Sequence, residues 1–420
     1  MRTPDYNRRV VVTGMGVISP VGNDIETAWD NLVNGRSGLG ELTRFDASAY
    51  QHHFAGEVHD FDAATWMNPK DARRSDISVH YGVAAAKQAL ADSGFEITDE
   101  NRYDAGVVFG CGGGGQQLFI QNLNAWHERG IKGVSPFFIA NGLVDSPSGQ
   151  IAIETGAKGH NCAVVTACST GTHNIAEAAE AIRRGDCTMV ISGSTEAPLF
   201  ELVHIGFTNM RGLGAPRPGF PVPDVCRPFD RTRDGFVLGE GAASLILEDL
   251  ELAKARGARI YAEVVGYGSA ADGFDMIAPA EGGEGSARAM KMALERRGVP
   301  ADEIDVINPH GTSTPLGDKR EAEAIWSVFG DRTKEIAISA TKSMTGHMMG
   351  AAGAFEAFAS VMSIHHGCIP PTLNYLEPDP ECDLWVVREP IAKRVRYALS
   401  NNIGLGGHNG AIIFRRYDGD

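Results

Sequence analysis

The chain has 420 residues and a formal net charge of −15, with 53 acidic against 38 basic side chains, a balance that argues against nucleic acid as the main partner. Hydrophobic residues at 43% and charged residues at 22% are ordinary for a folded globular body, and the length allows two core-forming units or one large α/β body. Seven cysteines form no C-x-x-C pair and no zinc-like spacing with histidine, which excludes a disulfide framework, gives no metal site and predicts a reducing, cytoplasmic setting. The N-terminal apolar run is too short and glycine-broken for a signal peptide, and no stretch of about 18 uncharged apolar residues occurs.

In chain order, Arg9 to Gly14 reads as a buried strand with a glycine turn at Met15-Gly16, then a helix around Thr27 to Asn34. The TGMGVIS stretch lacks the third glycine of a dinucleotide fingerprint, so a nicotinamide enzyme is poorly supported. An alanine-rich helix is expected from Asp71 to Ser93, and a strand from Ala105 to Phe109 that runs into the glycine cluster at 110–115. No G-K-[ST] follows the cluster, which points to close backbone packing or an open substrate channel rather than a phosphate cradle.

Residues 164–185, VVTACSTGTHNIAEAAEAIRRG, organise the rest. A β-type run, Val164 to Thr166, leads to Cys168 and then to a helix with Ile175, Ala178, Ala179 and Ile182 on one face, closed by Gly185. A cysteine at the positive end of a helix is expected to favour thiolate. A strand at Thr188 to Ser192 follows, then a proline- and glycine-rich loop around 213–228, then DGFVLGEGAASLILEDL, read as a glycine turn inside a strand pair.

There the chain begins again. IYAEVVGYGS at 260–269 echoes the first strand, and IDVINPHG at 304–311 echoes DAGVVFGCG. ISATKSMTGHMMGAAGAFEAF at 338–358 echoes the Cys168 unit, and the segment 398–414 echoes DGFVLGEGAASLILE. Four matches in one order imply two related halves, 1–258 and 259–420, each an α/β unit. The small-residue helices 169–184 and 346–364 are suited to burial between two mixed sheets, so equivalent turns of the halves would converge on one pocket. Cys168 would there meet His310, which stands in a loop with Thr312 and Thr314, and Lys342, His347 and Glu356. A nucleophile, two imidazoles, a cation and a carboxylate are the parts for acyl transfer with oxyanion stabilisation.

TACSTG, NPHGTSTPLGD, ATKSMTGHMMGAAGAFE and SNNIGLGGHNG, with VVTGMGVISPVG and RPFDRTRDGFVLGEGA, resemble the β-ketoacyl-acyl-carrier-protein synthases of type I/II, across nearly the whole chain. The resemblance implies a thiolase-like five-layered αβαβα fold, a homodimer, and decarboxylative condensation of malonyl-acyl carrier protein with an acyl thioester on Cys168. A polyketide-type ketosynthase of secondary metabolism is the alternative. It implies a Cys168, His310, His347 site, an oxyanion hole from the N–H groups of Cys168 and Leu405, and support from Lys342, Glu356 and Asp318. Thr312 and Thr314 would bind the phosphopantetheine arm or simply cap the loop, and no cofactor beyond that carrier-borne arm is implied.

Gly113 falls where some relatives carry isoleucine at the floor of the acyl pocket, so a longer chain is expected to fit. The gating loop reads NIGLGGH where many relatives read SFGFGGT, which puts Ile403 and Leu405 in place of two phenylalanines and His408 in place of threonine. Lys70, Arg73, Arg74 and Arg211 match carrier-docking positions, a solvated face being the alternative. A thiolase needs a second cysteine in the C-terminal glycine loop, a three-carbon-starter synthase needs asparagine where His347 stands, and a non-catalytic chain-length subunit lacks the nucleophile.

Overall fold

Gly14 and Gly16 do not turn the chain. The computed structural model describes residues 3–216 and 222–419, so residues 217–221 of the proline- and glycine-rich loop lie outside the described residues. It carries both glycines inside a nine-residue strand, β1 (Val10–Ile18). Two helices follow, α1 (Ile25–Val33) and α2 (Ile77–Ser93). A Cβ at Gly14 would stand 2.3 Å from the Ala89 carbonyl oxygen, and one at Gly16 2.0 Å from that of Ala85, so the bare backbone lets α2 lie directly on the strand. The helix expected from Asp71 is broken. A four-residue turn, Pro69–Ala72, precedes α2, which starts afresh where the Asp76 carboxylate accepts the Ser78 N–H.

The first half continues with β2 (Ala105–Cys111), α3 (Gln116–Arg129), α4 (Ser146–Thr155), β3 (Asn161–Cys162), α5 (Thr170–Arg184), β4 (Met189–Glu196) and β5 (Gly241–Asp249). The second half supplies β6 (Ala262–Ala271), α6 (Glu284–Glu295), β7 (Ile304–Asn308), α7 (Pro315–Phe329), β8 (Ala337–Ile338), α8 (Ala352–His366), β9 (Tyr397–Gly404) and β10 (His408–Arg415). The strand pair expected over DGFVLGEGAASLILEDL is a single strand, β5, entered from a loop. A Cβ at Gly239 or Gly241 would strike the carbonyl oxygen of Thr345 or Ile18, so these glycines serve close approach.

The strands form one ten-stranded sheet in the order β8-β7-β9-β10-β6-β1-β5-β4-β2-β3. Numbered within each half, both run 3-2-4-5-1, with the same parallel and antiparallel neighbours. Within this sheet the two halves meet where Val10–Val12 pairs with Ala262–Val264, antiparallel. Gly266 and Gly268 repeat the packing of Gly14 and Gly16, with Ala293 and Ala289 of α6 as the backbone they meet. The sequence echoes therefore reflect a repeated architecture, and the fold is thiolase-like.

The three largest apolar clusters among the described residues join the sheet to its helices. The central one joins Ile175, Ala178 and Ile182 of α5 and Ala354 and Phe358 of α8 to β1, β5 and β10. Outer clusters hold α2 and α4 on one half, and α6 and α7 on the other. Alanine-rich faces let α5 and α8 occupy the middle. Among the described residues no helix is long and apolar enough to cross a membrane.

Candidate active site

Val164 to Thr166 is not a strand. Its backbone is held by side chains of α5: Val164 donates its N–H to Asn174 Oδ1 at 3.0 Å, Asn174 Nδ2 donates back to the Val164 carbonyl at 2.9 Å, and Thr166 N–H reaches Thr170 Oγ1 at 3.0 Å. Ala167 then takes φ 51°, and a 3-10 turn, Ala167–Ser169, leads into α5. This left-handed step aims the buried Cys168 side chain into a cleft of about 250 Å³ that His310 and His347 also line.

His347 Nε2 lies 3.1 Å from Cys168 Sγ, and the His310 and His347 rings stand 5.3 Å apart at 87°. The His347 backbone is clamped: its N–H donates to the Val237 carbonyl at 2.7 Å, and its carbonyl accepts from Gly239 at 2.9 Å. The backbone N–H groups of Leu405 and of Cys168 itself lie where they favour the thiolate form, as the Lys342 charge does. The Cys168 sulfur and the two imidazoles thus come to one cleft from positions far apart in the chain.

The expected thiolate is not supported. Burial pushes the Cys168 thiol up to about 12, outweighing the Lys342 ammonium and the Leu405 N–H, so the resting group is a thiol. Burial first, and the Lys342 charge second, hold His310 and His347 well below the usual imidazole range, so both rings are neutral at pH 7. The Nδ1 atoms of both rings are buried without partners, which leaves Nε2 as the working nitrogen of each.

Lys342 and Glu356 form an ion pair in which each side chain is 2% exposed. Burial raises the Glu356 carboxyl, and Lys342 together with the Asn402 amide at 2.7 Å opposes that rise. Asp318 is buried beneath the His310 loop, accepting the Ser313 N–H at 3.0 Å and the Phe229 N–H at 2.7 Å, and burial takes it up to about 6. Thr312 and Thr314 line the cleft with their hydroxyls 3.2 Å apart, and Ile403 and Leu405 line it as well.

Gly113 does not line this cleft. Its N–H donates to Glu196 at 3.0 Å, and a Cβ there would meet Gln116 Nε2 at 3.0 Å and Glu196 Oε1 at 3.3 Å. The glycine cluster does cradle an anion, but an internal one: the Glu196 carboxylate accepts from Gly112, Gly113, Gly350 and the Cys111 thiol. Lys70, Arg73, Arg74 and Arg211 are exposed and take part in no salt bridge among the described residues. Arg211 lines the cleft, and Arg74 lies over the Phe137 ring at 4.2 Å. His408 is exposed at the start of β10.

Three supporting residues escape the sequence reading: Glu196, Asn402 and Glu321. Glu321 accepts the N–H groups of His310 at 2.6 Å and Gly311 at 2.7 Å and the Asn401 amide at 2.7 Å, and burial takes it up to about 7. Its spacing of three from Asp318 on α7 puts both carboxyls on one helix face beneath the loop. That spacing is the signal available in advance.

Residues 7–253 match the family model described as beta-ketoacyl synthase, N-terminal domain, and residues 261–376 match its C-terminal domain. The chain is 43% identical over 413 residues to 3-oxoacyl-[acyl-carrier-protein] synthase 2 of Staphylococcus aureus, covering 98% of this chain and 99% of the relative. Against the protein of the same name in Vibrio harveyi it is 43% identical over 411 residues, covering 97% and 99%. A beta-ketoacyl synthase from Burkholderia phymatum superposes with TM-score 0.89 at 34% identity, covering 98% of this chain and 100% of that one. The ishigamide ketosynthase/chain length factor superposes with TM-score 0.89 at 36% identity, covering 98% and 99%. With both domain models matched in order around a Cys-His-His cleft, this chain belongs to the beta-ketoacyl synthase family.

Proposed function

We propose that this protein catalyses the decarboxylative Claisen condensation of malonyl-acyl carrier protein with an acyl group held on Cys168, releasing β-ketoacyl-acyl carrier protein and CO2 in fatty-acid chain elongation. The carrying observation is the meeting of the Cys168 sulfur, the His347 imidazole 3.1 Å from it and the His310 imidazole beside that ring in one cleft. Cys168 attacks the acyl thioester while His347 Nε2, at 3.1 Å, takes the thiol proton and passes it to the departing carrier thiol. The N–H groups of Cys168 and Leu405 stabilise the tetrahedral oxyanion. Malonyl thioester then enters, its carboxylate leaves as CO2, and the bonding pair passes into an enolate whose oxygen accepts the Nε2–H of His310, and that of His347 once water has moved the ring's proton from Nδ1 to Nε2. The enolate carbon attacks the Cys168 thioester, and the sulfur leaves as thiolate and takes one proton from water. Neutral rings suit this step because only N–H donors, held dry, match the new charge, each worth about 3–4 kcal/mol.

Burial, with the Lys342 charge second, keeps both imidazoles unprotonated, Glu356 pairs with Lys342, and Asp318 steadies the His310 loop. Thr312 and Thr314 bind the carrier's phosphopantetheine arm, and the enzyme uses no cofactor of its own. Lys70, Arg73, Arg74 and Arg211 offer an unpaired basic surface to an acidic carrier. Exposed Phe119, Leu123 and Trp126 on α3 with Ile139 and Leu143, together with the open edge strand β3, support a homodimer. The working halves are 1–258 and 259–420, and seven free thiols fit a reducing cytoplasm.

The test is incubation with a panel of acyl-acyl carrier proteins, then malonyl-acyl carrier protein, with mass spectrometry of both proteins. A Cys168 adduct that disappears as one two-carbon-longer β-ketoacyl product forms is expected, and absence of the adduct with every acyl chain refutes the reading. Likeness to solved polyketide ketosynthases, such as the type II PKS ketosynthase "AntDE:AntF" at 29% identity, TM-score 0.90 and coverage of 98% and 100%, keeps a polyketide reading as the alternative. Several unreduced extensions before release would favour it.

A further inference from the structure

Outside the cleft, one group of side chains has a geometry with no part in condensation. His160 stands just before β3 and Cys162 within it, their side chains meet, and Glu177 reaches them from α5. His160 Nε2 lies 3.3 Å from Cys162 Sγ and 3.7 Å from Glu177 Oε1, and the three ligand atoms all fall within 4.8 Å of one another. Ligands around a tetrahedral zinc ion, at about 2.1 Å for nitrogen or oxygen and 2.3 Å for sulfur, stand about 3.4–3.6 Å apart. Two of the separations are therefore already close to those of a filled site.

The supports are rigid. His160 donates its backbone N–H to Cys187 Sγ at 3.3 Å, its carbonyl accepts from Val107 at 2.8 Å, and Asn161 and Cys162 pair with β2. Glu177 stands in a fifteen-residue helix. Its present partner, Arg184 at 2.6 Å, also holds Asp186 at 2.9 Å, so the guanidinium keeps an anion if Glu177 turns to a cation. In the single chain the His160 and Glu177 side chains are 29% and 30% exposed.

We propose that His160, Cys162 and Glu177 form a binding site for a borderline-soft divalent cation of the Zn2+ type, which fastens β3 to α5. Imidazole nitrogen, thiolate and one carboxylate oxygen are the donor set such ions select over Mg2+ or Ca2+, with water as the fourth ligand. Binding replaces the Cys162 S–H bond with an S–metal bond and releases one proton to solvent, with no change of oxidation state. The consequence lies close to the chemistry: the cation pins the start of the segment that runs from Cys162 to Cys168, on the helix that Cys168 precedes.

The test uses the full-length protein with Cys168→Ala as background, so that the Cys-His-His cleft supplies no thiolate. Equilibrium dialysis against Zn2+ with elemental analysis is expected to give one ion per chain, and Co2+ to give thiolate-to-metal charge-transfer absorption. Cys162→Ser is expected to abolish that absorption and weaken Zn2+ binding at least tenfold. His160→Gln, which retains the thiol, should weaken it by a similar factor. Melting without metal shows that both variants fold, and added Zn2+ should raise Tm in the background protein only. Zn2+ content that neither exchange alters, or a background protein that retains none, overturns the proposal.

Discussion

Helices α5 and α8 lie side by side at the centre of the molecule and are entered alike. Ala167 at φ 51° and Met349 at φ 47° each open a three-residue 3-10 turn that runs into the helix. The next residue differs. Cys168 faces the cleft, whereas Gly350 is shut against the glycine cluster, its N–H donating to Glu196 at 3.0 Å. A Cβ at Gly350 would stand 2.6 Å from Glu196 Oε2 and 2.6 Å from the Gly112 nitrogen. One backbone device thus serves twice, once to present Cys168 to the cleft and once to seat Gly350 against the glycine cluster. The cleft draws on both stretches of chain, since His310, His347 and Leu405 line it opposite Cys168.

The largest effects fall on the Cys168 side of this comparison. Cys168→Ala should remove the acyl adduct and lower condensation by about 10³-fold or more, read by intact mass and CO2 release. His310→Ala and His347→Ala should each lower condensation by about 10²- to 10³-fold. They should separate in single-turnover acylation. His347, at 3.1 Å from the sulfur, is expected to slow adduct formation as well, and His310 to leave it nearly unchanged. Equal acylation by both variants would mean that the thiol proton leaves by another route.

The pH dependence of alkylation is smaller and tests burial directly. Because the thiol is pushed up to about 12, the thiolate fraction keeps growing as pH rises, so iodoacetamide should modify Cys168 about tenfold faster per unit between about pH 7 and 9. An early plateau near pH 8 would restore the helix end as the dominant influence.

That last point marks where sequence reading stops. The four ordered echoes reveal the repeat, and the turns rich in small residues around Cys168, His310 and His347 are visible because they interrupt apolar strand and helix patterns. Desolvation of the thiol depends on neighbours far apart in the chain, so the helix-end argument predicts a thiolate that burial removes. Glycine has the same ambiguity. Gly14 and Gly16 read as a turn, yet they are strand residues under α2, and only the equally spaced Gly266 and Gly268 opposite Ala289 and Ala293 hint at close packing. Glu196 and Glu321 look like ordinary acids until the amides they accept from are folded around them.

On the closed side, Gly350→Ala should cost about 1–3 kcal/mol through overpacking, a fall in Tm of a few degrees by calorimetry. Part of the clash is with the Gly112 backbone, which yields less than a side-chain tip. Condensation per folded molecule should change less than in either histidine variant, because Gly350 touches no reacting group. If Gly350→Ala instead matches the wild type in Tm, the packing there is looser than the Glu196 contacts imply.

The smallest effect concerns the shared left-handed step. An L-residue there costs about 1–2 kcal/mol relative to glycine, and glycine gives back about 0.5–1 kcal/mol through its freer unfolded chain. Ala167→Gly should therefore gain at most about 1 kcal/mol, a rise in Tm of about 1 °C. Met349→Gly meets the same backbone balance but also loses a side chain that lines the cleft and packs against the cluster of Leu42, Leu199 and Leu238, so its Tm should fall. Opposite signs at two positions of matching φ would separate backbone strain from packing. The rise at Ala167 should come with slower Cys168 acylation by a few-fold, because a glycine there leaves the nucleophile's turn less confined to the one geometry in which Sγ meets His347.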